Sequence, residues 1–351
     1  MNKSTKMSFD KVLGSLACAG MGDALGAATE LYTIDEIKSR FNGLVDTFHT
    51  PADDTFAGSL NGQKGLITDD ASQMYVFAEG LINTGREGFD NQAWINCLLR
   101  WAEMEPYANY KGPTTEQVVK ALKEGQPTNL IGRIGTSGRQ APNVGTTNGA
   151  AMRVAPAGLV YPGEAEKACE LAFISCLPSH DTNIAISSAC CIAAAVATAM
   201  TPDATLPAII DSALKGARYG EQLAVERARV VAGPKVENRL KLALDIAHRN
   251  SDTETFLREL EAYVGNSVNA HESVPSAIGI FAFCEGDPWK TICACANAGN
   301  DTDSIATMAG AIAGAYKGFA AIPQDKYQEF YQVNRRDFDV ERIARKLTDI
   351  C

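Results

Sequence analysis

Apolar residues recur at intervals of three and four along most of the chain, the spacing that turns one face of an α-helix toward a core. Val12, Leu16 and Met21 mark such a face in the first stretch, which predicts a helix over 9–26 with Ser8 as its cap. The same spacing predicts helices at 34–41, 69–85, 90–104, 115–124, 165–175, 184–200, 205–217, 236–249, 253–264, 274–284, 288–297, 303–319 and 338–348. Period-two runs of β-branched residues are nearly absent, so the pattern is that of an all-α protein. Two segments break it. Residues 42–67 carry Pro51, Gly58, Gly62 and Gly65, and residues 126–149 are rich in Gly, Thr and Asn and poor in apolar side chains. An irregular stretch beyond ~15 residues in a compact domain is usually functional or disordered. Dividing 351 residues by roughly 150 per domain allows two domains. No linker composition or solenoid repeat separates them, and one domain over 1–351 is expected.

Gly14, Gly20, Gly22 and Gly26 all fall in the first helix, where each costs roughly 1 kcal/mol relative to Ala. Close approach of another backbone is their expected use. The stretch from Thr182 to Pro202 carries no charge and nears the ~20 residues that span a bilayer. It is rich in Ala and Ser and lacks both an aromatic belt and flanking Lys/Arg clusters, which favours a buried central helix.

Composition narrows the function classes. With 46% hydrophobic and 21% charged residues the chain reads as an ordinary globular protein. Its 32 Lys+Arg against 42 Asp+Glu give a net charge of −10, which argues against a nucleic-acid or anionic-membrane surface. The ten cysteines include the adjacent Cys190 and Cys191 and the near neighbours Cys293 and Cys295, but no C-x-x-C. They read as small buried hydrophobes in a reducing compartment. The first ten residues, MNKSTKMSFD, lack the apolar core of a signal peptide, so a cytoplasmic location is expected.

Two clusters carry candidate chemistry. Thr68-Asp69-Asp70 stands immediately before the apolar positions Met74, Val76 and Phe77, and Gly299-Asn300-Asp301-Thr302-Asp303-Ser304 immediately before Ile305, Met308 and Ile312. Each sets a hydroxyl beside two carboxylates at a helix start, where ordinary capping is the simplest use. One helix start needs one side-chain acceptor, and these offer more. Four Asp brought together would repel one another unless cations lay between them, and hard oxygen donors suit Mg²⁺ or Mn²⁺ rather than zinc. Spacing alone does not say that the clusters meet.

The motifs in order resemble those of the ADP-ribosylglycohydrolase family, the group that includes dinitrogenase-reductase-activating glycohydrolases. Its G-D-x-x-G-x-x-x-E is matched by Gly22-Asp23-Ala24-Leu25-Gly26-Ala27-Ala28-Thr29-Glu30, its T-D-D by residues 68–70, and its G-x-D-T-D-[TS] by residues 299–304. The resemblance runs from about residue 8 to residue 322. It implies a compact domain of orthogonally packed helices around a dinuclear Mg²⁺ or Mn²⁺ centre. By position the metal ligands would be Thr68, Asp69, Asp70, Asp301, Asp303 and Ser304. Ser304 keeps the hydroxyl where Thr is usual, and Asn300 stands where a second Gly is frequent. Glu30, Asp69 and Asp303 would be catalytic, with Glu30 as base or gate, and Asp23 would be a buried structural partner.

The end of the long loop, Gly145-Thr146-Thr147-Asn148-Gly149-Ala150-Ala151-Met152-Arg153, resembles the family's S-N-G-A-A-M-R segment, which cradles a diphosphate and the distal ribose. Backbone N–H groups of such a segment can converge on phosphate oxygens. Gly145, Thr146, Asn148 and Gly149 are therefore expected to bind substrate, as is His180, whose place in the family is near the phosphates. Arg153 is expected to brace the fold, and Glu272-Ser273-Val274-Pro275 to support the metal site from behind, while His49, His248 and His271 take no role.

The activity implied is metal-dependent hydrolysis of the N- or O-glycosidic bond at C1″ of an ADP-ribosyl group on a protein side chain or small acceptor. An ADP-ribosylated protein or a small ADP-ribosyl compound would be the partner, with neither membrane nor nucleic-acid binding expected. Two other readings stay open: a two-metal hydrolase of a smaller ribosyl or nucleotide metabolite, and a non-catalytic ADP-ribose-binding or structural member. Acceptor identity, whether arginine, serine or another group, is not legible.

Overall fold

The helical spacing is realised along the chain in a computed structural model that describes residues 3–131, 140–141 and 143–351. Its helices are α1 (Lys3–Gly26), α2 (Ile34–Arg40), α3 (Phe56–Ser59), α4 (Asp69–Thr84), α5 (Asn91–Trp101) and α6 (Pro113–Lys123). There follow α7 (Ala155–Leu159), α8 (Ala165–Cys176), α9 (Asn183–Ala199), α10 (Leu206–Arg227), α11 (Val236–Arg249) and α12 (Thr253–Tyr263). The last five are α13 (Ala270–Phe283), α14 (Pro288–Ala296), α15 (Thr302–Lys317), α16 (Gln324–Asn334) and α17 (Val340–Thr348). Among the described residues, β-structure is limited to isolated bridges, so the all-α expectation holds. Of the expected loop 126–149, residues 132–139 and 142 lie outside the described residues.

The departures from the spacing have physical causes. Ser8 lies inside α1 rather than capping it. Helix α10 continues to Arg227 instead of stopping near residue 217, because Gly216 and Gly220 are contact positions and not breaks. A Cβ on Gly216 would stand 2.5 Å from the Cys190 carbonyl oxygen of α9, and one on Gly220 2.7 Å from the Cys190 Cβ. Helix α16 was not expected, since its buried side is only Tyr327, Phe330 and Asn334 in an otherwise polar sequence. Helix α13 starts at Ala270 and tolerates Pro275 inside it.

Helices α1 and α15 make the central contact. Their neighbours step in opposite directions, three or four residues at a time: Gly14 beside Gly314, Cys18 beside Gly310, Gly22 beside Ala306 and Gly26 beside Asp303. The two helices are therefore antiparallel, and glycine lets their backbones touch. A Cβ on Gly314 would lie 2.0 Å from the Gly14 carbonyl oxygen, and one on Gly22 2.5 Å from that of Ala306. Buried Lys11 donates to the carbonyls of Ala199 (2.7 Å), Ala315 and Tyr316 (both 3.2 Å), capping the C-terminal ends of α9 and α15 with one ammonium.

The uncharged stretch forms α9, buried along almost its whole length. Among the described residues no helix is long and apolar enough to cross a membrane. One apolar core extends from Val12 in α1 to Leu347 in α17. All ten thiols are free, and burial pushes those of Cys284 and Cys293 up to about 12, which makes them poor nucleophiles.

The glycine contact gives a direct test. Gly314→Ala is expected to lower the free energy of unfolding in denaturant titrations by about 2 kcal/mol, since backbone atoms must separate. A loss below about 0.5 kcal/mol, the size of an ordinary surface change, contradicts the close packing.

Candidate active site

The site starts from the last turns of α1. Asp23 is fully buried, and its carboxylate accepts from Thr68 N (3.0 Å), Thr68 Oγ1 (2.8 Å) and Ala71 N (2.9 Å). A carboxylate from α1 thus satisfies the first N–H groups of α4. With Asp23 in that place, Asp69 and Asp70 are free for other work. The start of α15 is similar, since Asp301 occupies the cap position without a side-chain capping bond. Thr68 Oγ1 caps α4 by accepting from Asp70 N (3.4 Å), so capping uses a hydroxyl of the first cluster and does not account for the carboxylates of either.

The loop after α1 is tied to the loop before α15. Leu31 N donates to Asn300 O (2.8 Å) and Asn300 N to Tyr32 O (2.9 Å). Leu31 and Asn300 both take positive φ, 69° and 63°. Below them, Thr302 Oγ1 donates to Gly26 O at 3.0 Å, and Gly26 has no Cβ to meet the Asp303 Cα, which would be 2.4 Å away. These contacts bring Glu30 against the second cluster, where oxygens of Glu30, Asp301 and Asp303 lie within 4.8 Å of one another. All six expected ligands, Thr68, Asp69, Asp70, Asp301, Asp303 and Ser304, line one cavity of about 330 Å³ together with Glu30. Residues far apart in the chain do meet.

The electrostatics are severe. Burial pushes every carboxyl of the group upward, and the strongest charged neighbours are other carboxylates. Burial first, and the charge of Asp303 next, hold Asp23 and Asp301 at about 8, and burial holds Asp303 at about 6. Glu30, Asp69 and Asp70 stand well above the carboxylate range for the same reasons. Glu30 Oε2, Asp70 Oδ1 and Asp303 Oδ1 are closed off from solvent without a hydrogen-bond partner. Orphaned carboxylate oxygens in an all-oxygen donor set fit a hard divalent cation such as Mg²⁺ or Mn²⁺.

The loop residues are brought in unequally. Asn148 N donates to Val268 O (2.9 Å) and Ala270 N to Thr146 O (3.1 Å), so this segment pairs briefly with the one before α13. The Asn148 amide donates to Asp301 Oδ2 at 2.5 Å and to Ser273 Oγ at 2.9 Å, so Asn148 holds a carboxylate and Ser273 supports it. Gly149 also lines the cavity, and a Cβ there would stand 2.9 Å from the His180 ring. Gly145 and Thr146 do not line it. The Gly145 carbonyl accepts from Thr182 Oγ1 at 2.6 Å, and the Thr146 hydroxyl donates to Asn143 O at 3.0 Å. His180 does line the cavity, yet both its ring nitrogens are engaged, with Ser179 Oγ (2.8 Å) and Thr147 Oγ1 (3.0 Å). Burial holds it well below its usual value, hence neutral.

Several lining residues escaped the sequence reading. Thr147 and Met152 were passed over inside a quoted motif, and Leu31, Phe56, Tyr110, Lys111 and Thr115 carry no motif at all. The Gly112-Pro113 start of α6 marks a helix start, but nothing in the sequence places it at a cavity wall. Glu272 accepts from Ser267 Oγ at 2.6 Å and so braces the neighbouring loop.

A carboxylate-walled cavity in an all-α frame fits a class in which divalent cations and acidic side chains share hydrolytic chemistry. The chain belongs to the ADP-ribosylglycohydrolase family of hydrolases, whose model, described as "ADP-ribosylglycohydrolase", matches residues 4–351. It is similar to the protein YegU of Escherichia coli (strain K12), 31% identical over 338 residues and 95% of each chain. A protein of Archaeoglobus fulgidus is 30% identical over 330 residues, covering 94% of this chain and 93% of that one. Human ADP-ribosylhydrolase ARH3 is 27% identical over 352 residues, covering 96% and 94%. A solved structure titled "ADP-ribosylglycohydrolase-related protein complex" shares the fold, with a TM-score of 0.66 at 21% identity over 98% of this chain and 99% of that one.

The raised carboxyls fix a pH dependence. Without cations the folded cluster keeps protons that the unfolded chain releases above about pH 4, so its contribution to stability falls as pH rises toward about 8. Cation binding displaces those protons and reverses the fall. The gain in Tm on adding Mn²⁺ is thus expected to be larger at about pH 8 than at about pH 5 in thermal scans. Equal gains at both pH values, or none, contradict the arrangement.

Proposed function

We propose that this protein hydrolyses the glycosidic bond at C1″ of an ADP-ribosyl group carried by a protein side chain or a small acceptor. The same reading makes Thr68, Asp69, Asp70, Asp301, Asp303 and Ser304 the holders of two Mg²⁺ or Mn²⁺ ions, within one domain spanning 1–351. The observation that carries it is the convergence of both acidic clusters and Glu30 on a single cavity with buried, orphaned carboxylate oxygens. The naming of relatives such as human ARH3 as ADP-ribosylhydrolases supports the substrate class. A cavity of about 330 Å³ suits part of a nucleotide-sized ligand rather than a polymer.

Bound divalent cations supply Lewis-acid stabilisation of charge at the sugar and lower the pKa of water. The chain's own groups do the rest. Glu30, half-buried with Oε2 free, is placed to hold or move a proton beside Asp301 and Asp303. Asn148 fixes the rotation of Asp301 by its amide, so that one carboxylate oxygen stays committed while the other is available. Gly149 lets the loop backbone come close to the cavity, where N–H groups suit phosphate oxygens. Leu31, 60% exposed, and Val268, 46% exposed, line the cavity and give an acceptor apolar contact.

Asp69→Ala and Asp303→Ala are each expected to lower ADP-ribose release by at least about a thousandfold while leaving the helical circular dichroism intact. The measurement is chromatographic detection of free ADP-ribose from arginine-, serine- and small-molecule-linked substrates, with and without chelator. Wild-type turnover in either variant, or full activity in a chelated sample, overturns the mechanism. Binding of ADP-ribose with no product from any substrate in the panel favours a non-catalytic role instead.

A further inference from the structure

Arg153 is 0% exposed and stacks its guanidinium over Trp94, 4.7 Å from the ring centroid. It touches neither the cavity nor any of the carboxylates, yet two hydrogen-bond chains leave it and both end at the site. In the first, Nη1 donates to Gln73 Oε1 (2.9 Å), and Gln73 Nε2 donates to Asp69 Oδ2 (3.3 Å). In the second, Nη2 donates to Ser179 Oγ (3.0 Å), which contacts His180 Nδ1 (2.8 Å), whose Nε2 meets Thr147 Oγ1 (3.0 Å).

An arginine can only donate, so Gln73 and Ser179 are both acceptors toward it, and the bonds beyond them follow from satisfying their remaining hydrogens. Gln73 must turn its oxygen toward Arg153, which leaves its amide N–H to hold Asp69 Oδ2. On the other arm, Ser179 Oγ accepts from Arg153, and the arrangement that also gives the Ser179 hydrogen an acceptor sends it to His180 Nδ1, the one other polar contact of that hydroxyl. The neutral imidazole then carries its proton on Nε2 and donates to Thr147. Thr147 Oγ1 is thereby an acceptor inward, and its own hydrogen is left for the cavity that Thr147 lines. One arm therefore orients an acidic ligand group, and the other ends in a hydroxyl donor suited to an anionic oxygen.

We infer that Arg153 is a positioning residue that sets the hydrogen-bond polarity of both halves of the site, holding Asp69 for the cation through Gln73 and presenting the Thr147 hydroxyl to a phosphate oxygen of the substrate through Ser179 and His180. The inference rests on the reading of the cavity as an ADP-ribosyl site. It also gives Thr147, rather than His180, the direct contact with substrate.

Calorimetric titration of the full chain with Mn²⁺ alone, and with ADP-ribose at saturating Mn²⁺, separates the arms. Gln73→Met is expected to weaken Mn²⁺ binding about tenfold and to leave ADP-ribose affinity within about twofold. Ser179→Ala and Thr147→Val are expected to do the reverse, weakening ADP-ribose at least about tenfold, while Thr147→Ser stays near wild type. Arg153→Lys, if it folds, weakens both ligands because one ammonium cannot serve two diverging chains. A merely structural role would lower Tm without this split. Equal weakening of both ligands in every variant, or no change in either, overturns the inference. If wild type binds no ADP-ribose, the functional reading fails instead, and the Mn²⁺ arm still decides: a tenfold loss in Gln73→Met supports the relay and an unchanged affinity removes it.

Discussion

Everything at the site depends on how closely α1 and α15 approach. Glycine at positions 14, 22 and 26 of one helix and at 310 and 314 of the other lets two antiparallel backbones touch along their length. At the end of that seam Gly26 lies against the Cα of Asp303, so any side chain there would move the first turn of α15. The seam therefore fixes Glu30 and Asp23, from the end of α1, relative to Asp301 and Asp303. Asp23 then docks the start of α4 by accepting from Thr68 and Ala71, which brings Asp69 and Asp70 to the same cavity. Backbone proximity comes first and the acidic site follows from it.

That placement costs stability, because it buries carboxylates against one another. Their upward shifts have burial as the largest cause and like charge as the next, and three of their oxygens find no partner. A fold that was selected only for stability would place apolar side chains here. The buried core and the helix-capping role of Asp23 offset the strain, and a divalent cation removes its electrostatic part. The buried Arg153 acts on the cluster at one remove, through Gln73.

Much of the fold was legible in the spacing of apolar residues, because amphipathic helices such as α11 and α12 repeat it over several turns. Helix α16 was not, since three buried side chains in a polar sequence do not make a stripe. Helix α10 runs ten residues past the expected end at 217, with Gly216 and Gly220 receiving Cys190 of α9. For the site, the two acidic motifs were visible, but their meeting was not, because no local rule relates residue 30 or 69 to residue 301. The resemblance supplied that step, and the seam between α1 and α15 explains it. It also drew attention to Gly145 and Thr146, which turn away, and to His180, whose nitrogens are both committed, while Thr147 holds the exposed end of the chain.

The central claim is that the carboxylates at the starts of α4 and α15, with Glu30 from the loop after α1 beside them, form one divalent-cation site. Anomalous diffraction at the manganese edge from crystals equilibrated with Mn²⁺ tests it most directly. The account expects two anomalous peaks between Asp69, Asp70, Asp301 and Asp303. A cavity without manganese at saturating concentration, or manganese bound only elsewhere on the protein, would contradict it.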